Sequence, residues 1–115
     1  MVDDDVEQLA LVRRMLQAHR FEVRTTSSPI GVSNIARQFS PNIILIDVNQ
    51  PALSGGQILK LLRSNTKSAA KLILFSSAGA EELRSVARQV SADGWIQKGM
   101  LGAEMAKKLR KMAEG

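Results

Sequence analysis

Two runs of unbroken apolar residues, Ile43-Ile44-Leu45-Ile46 and Leu72-Ile73-Leu74-Phe75, constrain this chain more than any other feature. Four apolar residues in a row leave no polar face, so each run has to be covered on both sides, as an interior strand of a parallel sheet is. Phe21-Glu22-Val23-Arg24-Thr25 alternates instead, with the period of a half-exposed edge strand, and Gly94-Trp95-Ile96-Gln97 is a shorter strand candidate. Amphipathic stretches with helical spacing lie between. Leu11, Val12, Met15 and Leu16 form one stripe, and Val32, Ile35, Ala36 and Phe39 form another behind the Ser28-Pro29 start signal. Ile58, Leu61 and Leu62 follow Ser54-Gly55-Gly56; Leu83, Val86, Ala87 and Val90 follow Gly79; Met105, Leu109 and Met112 close the chain. Strand and helix alternating in this way predict right-handed βαβ crossovers and a three-layer α/β sandwich.

A single domain is expected over residues 1–115, long enough to build a core without disulfides or metal staples. The absence of cysteine removes a thiolate metal site and a cysteine nucleophile from consideration. No apolar run approaches the roughly 18 residues needed to cross a bilayer, and the acidic start Met1-Val2-Asp3-Asp4-Asp5 is the opposite of a signal peptide. A cytoplasmic protein with no membrane partner is therefore expected. Only Met1 and Val2 precede the acids, so the first strand is expected to be truncated: a stub, or the end of a strand whose earlier residues lie upstream in a longer protein.

The net charge of +5 and pI near 10.1 raise nucleic acid as a partner, but 3% aromatic content with no Tyr offers no base-stacking surface. Every expected helix is also used to cover the sheet, leaving none for a groove. No direct nucleic-acid contact is expected. Lys107, Lys108, Arg110 and Lys111 complement the dipole of a last helix. With Arg84 and Arg88, the cluster also makes a basic face suited to an acidic partner.

Ligands of an open parallel sheet bind beyond the carboxyl ends of its strands. Asp3-Asp4-Asp5 follows the first apolar run, Asp47 the third, Ser76-Ser77 the fourth and Lys98 the last. Four strand ends thus direct acids, a hydroxyl and an amine to one edge. Clustered carboxylates repel unless a cation neutralises them, and an all-oxygen ligand set favours a hard ion such as magnesium. Phosphoryl transfer is largely positioning and charge neutralisation, which this set supplies. Asp47, alone at the end of a buried strand, is the carboxylate best placed as nucleophile. Taken singly, each residue has a plainer use. Asp5 suits a helix N-cap, Asp47 a turn before Pro51, and Ser76 and Lys98 a solvated loop. A flavin carrier on such a sheet needs a phosphate-cradling loop after the first strand, where three aspartates would repel the phosphate. A haloacid-dehalogenase-like phosphatase needs a second acid and a longer chain.

In order and interval the residues resemble the receiver domain of two-component response regulators. Val2-Asp3-Asp4-Asp5 resembles its acidic start; Ile43-Ile44-Leu45-Ile46-Asp47 with Pro51 and Ser54-Gly55 resembles its phosphorylated strand and loop. Ser76 and Ala92-Asp93-Gly94-Trp95-Ile96-Gln97-Lys98 resemble its later landmarks, at intervals of 43, 29 and 22 residues from Asp4 to Asp47 to Ser76 to Lys98. The resemblance implies a doubly wound, flavodoxin-like sheet of five parallel strands in the order 2-1-3-4-5, with five helices. It also implies that Asp47 accepts a phosphoryl group from a sensor histidine kinase or phosphotransfer protein. Magnesium is then held by Asp3, Asp4, Asp47 and the backbone carbonyl of Asn49, while Ser76 and Lys98 contact the phosphoryl group. Trp95 stands where the family has an aromatic switch residue; its plainer alternative is an edge-strand aromatic packed on the last helix. Such a chain is a phosphoryl acceptor with slow self-dephosphorylation rather than an enzyme. It signals through its fourth helix, last strand and last helix to an effector domain or protein, and homodimers occur within that pattern. A phosphorylation-independent interaction domain is the alternative function. Three features depart from the family: Gln50 before Pro51, Gly99 after Lys98 where proline is usual, and the short first strand.

Overall fold

The computed structural model describes residues 1–3, 5–27, 35, 38–47, 70–77, 79–90, 92–100 and 102–114. Among the described residues six named elements follow one another: α1 (Val6–Ala18), β1 (Ile43–Asp47), β2 (Lys71–Ser76), α2 (Ala80–Val90), β3 (Gly94–Gln97) and α3 (Gly102–Glu114). Both unbroken apolar runs are strands, and β1, β2 and β3 pair in parallel in that order. Ile46, Ile73 and Leu74 have no exposed surface, as two-sided cover requires.

Successive residues of a strand point to opposite faces, and the core divides accordingly. Ile44, Ile46, Leu72 and Leu74 face one side with Val2, Ala70 and Ala87 of α2, while Leu45, Ile73, Phe75 and Ile96 face the other with Val12 and Leu16 of α1 and Met105 and Leu109 of α3. Helices on both faces of the sheet make the expected three layers. Val2 sits between Thr26 and Ile46 through isolated parallel bridges, so the chain order across the sheet runs Thr26, Val2, β1, β2, β3. The helix signals at Ser28-Pro29 and at residues 54–62 lie outside the described residues, as do Gln50 and Pro51.

Two local expectations are corrected. Residues 21–25 keep their alternation, with Val23 buried between exposed Glu22 and Arg24, but are not a strand. Among the described residues, the backbone bonds that join residues 1–3 to this segment run from the Met1 ammonium to the Arg24 carbonyl, from the Asp3 N–H to the Thr26 carbonyl and from the Thr26 N–H to the Met1 carbonyl. The buried stripe of α1 is Leu9, Val12 and Leu16; Leu11 is 66% exposed. Leu11 lies about 200° of helix rotation from Leu9, so both cannot face the sheet. Asp5 caps α1 as expected, its Oδ1 accepting from the backbone N–H groups of Glu7 (3.1 Å) and Gln8 (3.2 Å).

Candidate functional site

Backbone register brings the strand ends together. Val2 N–H donates to the Leu45 carbonyl (2.8 Å) and Asp47 N–H donates to the Val2 carbonyl (3.0 Å). This sets Asp3, the next residue, beside Asp47 at the end of β1. Asp47 is in register with Phe75, and Ser76, the last residue of β2, with Gln97. The Lys98 N–H then donates to the Ser76 carbonyl at 2.8 Å, holding the start of the last loop against β2. Asp3, Asp47 and Ser76 are all buried, at 0%, 3% and 0% exposure.

Lys98 Nζ donates to Asp47 Oδ2 at 2.9 Å. The same ammonium lies 5.6 Å from the Phe75 ring centroid, so an aromatic face lies within cation–π range of it. Asp3 Oδ1 accepts from the Asp5 N–H at 2.9 Å, whereas Asp3 Oδ2 is buried without a hydrogen-bond partner. Burial pushes the Asp3 carboxyl up from its usual 3.8 to about 6; the Asp5 N–H opposes this, and the neighbouring Asp47 carboxylate adds to it. An orphaned carboxylate oxygen beside a second carboxylate fits a hard divalent cation, which would satisfy the one and neutralise the repulsion of both. Asp3 and Asp47 are the two acids brought together among the described residues, which hold no cluster of three metal-binding side chains. Asp4 and Asn49, the other expected ligands, lie outside the described residues.

Trp95 is half-buried on β3, in register with Leu74 and packed with Val86 and Ala92 against the α2-side core. It does not rest on the last helix, the plainer alternative raised above, because residues 95 and 96 point to opposite faces. Ile96 takes the α3 side and Trp95 the α2 side. Gly99 has φ +95°, a conformation in which proline cannot stand, and the described residues contain no cis peptide bond.

Three contacts here have no signal in the sequence. The Arg84 guanidinium lies 5.8 Å from the Trp95 ring centroid, and Phe75 meets the Lys98 ammonium. Asp93 clips onto Leu72, its N–H donating to the Leu72 carbonyl (2.8 Å) and its Oδ2 accepting from the Leu72 N–H (2.7 Å). Each joins residues distant in sequence, which no periodicity records. On the opposite edge of the sheet a cavity of about 100 Å³, lined mainly by apolar residues such as Phe21, Val23, Ile43 and Leu45, holds none of the expected chemical groups.

A family model described as the response regulator receiver domain matches residues 1–110. The chain is 26% identical over 110 residues to protein RcaC of Microchaete diplosiphon and, likewise over 110 residues, to the transcriptional regulatory protein PrrA of Mycobacterium tuberculosis. These alignments take in 95% and 96% of the chain but span only 17% and 47% of those proteins. In fold, the chain is similar to the chemotaxis protein CheY4 of Vibrio cholerae (TM-score 0.82, 24% identity, 96% of this chain and 93% of that one). It is also similar to the BeF3-activated receiver domain of Klebsiella pneumoniae RstA (TM-score 0.85, 20% identity, 99% and 96% covered).

Proposed function

We propose, from the premise that this chain belongs to the response regulator receiver domain family, that Asp47 is its phosphoacceptor. Receiver domains of this family are two-component signalling modules. The observation that carries the assignment of Asp47 is its buried carboxylate, held at 2.9 Å by Lys98 Nζ beside the orphaned oxygen of Asp3.

In this reading a carboxylate oxygen of Asp47 attacks the phosphorus of a phosphohistidine on a sensor kinase or phosphotransfer protein. The P–O bond forms, the P–N bond breaks, and the imidazole leaves, taking up a proton. Asp3, Asp4 and Asp47, with the Asn49 carbonyl, would hold magnesium. When bound, the ion supplies positive charge against the carboxylates and the incoming phosphoryl oxygens. Lys98 orients Asp47 before transfer, then pairs with a phosphoryl oxygen. Ser76 donates its hydroxyl to another. Burial of Asp47 keeps bulk water from the acyl phosphate, which slows hydrolysis. The fourth helix, last strand and last helix of the family correspond here to α2, β3 and α3, and they carry the change to an effector domain or protein. The kinase and phosphodonor place this module in the cytoplasm. It is an acceptor and not a turnover catalyst.

Incubated with magnesium and acetyl phosphate, the protein gains the mass of one phosphoryl group, and Asp47→Asn abolishes the gain. An unmodified mass under conditions that phosphorylate other receivers would sink the assignment.

A further inference from the structure

We infer that Arg84 on α2 is a positioning residue for Trp95: its guanidinium, over the indole at 5.8 Å, holds the ring on the α2 side and so sets how readily phosphorylation of Asp47 moves it. This deepens the reading above and rests on it.

Three observations meet at this contact. Trp95 is half-buried on β3 and, like Val86 and Ala92, packs against the α2-side core, so part of its side chain is covered while part stays accessible. Arg84 is exposed, whereas its neighbours Leu83 (1%) and Ala87 (6%) dock α2 on the sheet. The helix therefore holds its place without Arg84, and the guanidinium's ring contact is separable from helix docking. Finally, β3 runs from Trp95 through Gln97 into Lys98, whose N–H is bonded to the Ser76 carbonyl and whose Nζ is bonded to Asp47. Any rearrangement of Lys98 or Ser76 around a phosphoryl group is thus transmitted along three residues of one strand to the ring that Arg84 covers.

A cation over an indole at an exposed site shifts a two-state equilibrium by about two- to fivefold. Loss of the contact releases the ring, so the shifted state forms with less phosphodonor. By linkage, the ring's bias acts back on occupancy at Asp47.

Trp95 is the sole tryptophan, so its emission reports on this ring alone. The experiment titrates the 115-residue protein with acetyl phosphate in magnesium. Trp95 emission and phosphoryl mass gain are followed for wild type, Arg84→Ala and Arg84→Lys. Arg84→Ala is expected to alter resting emission and lower the half-maximal donor concentration about two- to fivefold. Its urea midpoint falls only slightly, by no more than the same two- to fivefold in the folding equilibrium, and Arg84→Lys, which keeps a cation, returns most of the shift. If wild type gains no mass, the phosphoacceptor reading falls and this inference with it. If wild type gains mass but its Trp95 emission does not respond, or Arg84→Ala titrates like wild type, only the role of Arg84 is overturned.

Discussion

Lys98 and Asp47, 51 residues apart in the chain, meet through Nζ and Oδ2 at 2.9 Å. The Asp47 side chain is 4% exposed and that of Lys98 22%, so the ammonium reaches in from the rim to a carboxylate that water barely touches. A buried carboxylate beside a second one is stable only with positive charge at hand. In the absence of metal, that charge is Lys98.

Removing the ammonium therefore exposes the repulsion it offsets. Lys98→Met is expected to destabilise the fold by about 1–3 kcal/mol at neutral pH, less than a fully buried pair because Lys98 is partly solvated. Asp47→Asn added to Lys98→Met returns most of that loss. Urea denaturation of the two variants measures both effects, and a Lys98→Met midpoint equal to wild type would show that Asp47 is held by something else.

Asp3 provides a pH test with a definite sign. Its folded pKa of about 6 lies above the usual 3.8, so between these values the folded state holds a proton that the unfolded state has lost. The stability this confers is complete below about pH 3.8 and is lost as pH rises through about 6. Asp3→Asn keeps an acceptor for the Asp5 N–H but cannot ionise. Its stability relative to wild type should rise between pH 4 and pH 7.5, and a flat difference would contradict the assigned burial. Magnesium should narrow the difference at pH 7.5 by stabilising wild type.

Gly99 is where this chain departs from the proline usual in its family. At φ +95° the ring of a proline, locked near −65°, cannot be placed without rebuilding the turn after Lys98. Gly99→Pro should cost on the order of 2–3 kcal/mol and weaken phosphoryl gain with it. Gly99→Ala, which pays only the left-handed penalty, should cost about 1 kcal/mol. The urea midpoints should rank wild type, Gly99→Ala, Gly99→Pro, and any other order argues against the turn.

The packing of α3 against α1 is tested at Gly102. A Cβ there would lie 2.7 Å from Met15 Cγ and 3.0 Å from its Sδ, too near for either to stay. Gly102→Ala is expected to destabilise by about 1–2 kcal/mol despite alanine's helix preference. Met15→Ala in the same chain makes room, so the double variant should be more stable than the two single losses added together.

Most of the layering was legible in the residues. Unbroken runs at residues 43–46 and 72–75 declared two interior strands because a strand without a polar face has nowhere to sit but inside. Asp5 declared a cap because a short acceptor before an apolar periodic stretch satisfies free N–H groups. On α1, Val12 and Leu16 face the core as their spacing predicts, but Leu9 takes the place expected of Leu11, since a short amphipathic segment tolerates more than one phase. The clustering of Asp3, Asp47 and Lys98 follows from where each falls relative to a strand end.

Order along the chain thus determined which chemical groups reach one edge of the sheet, because strand polarity and βαβ handedness leave them nowhere else to go. Tertiary packing alone decided how they are held. The one-residue step from Val2 to Asp3 buries a carboxylate oxygen with no donor, register hands Lys98 to Asp47 across 51 residues, and Arg84 comes to rest on Trp95. Those relations depend on distances between elements, and spacing along the sequence carries no measure of them.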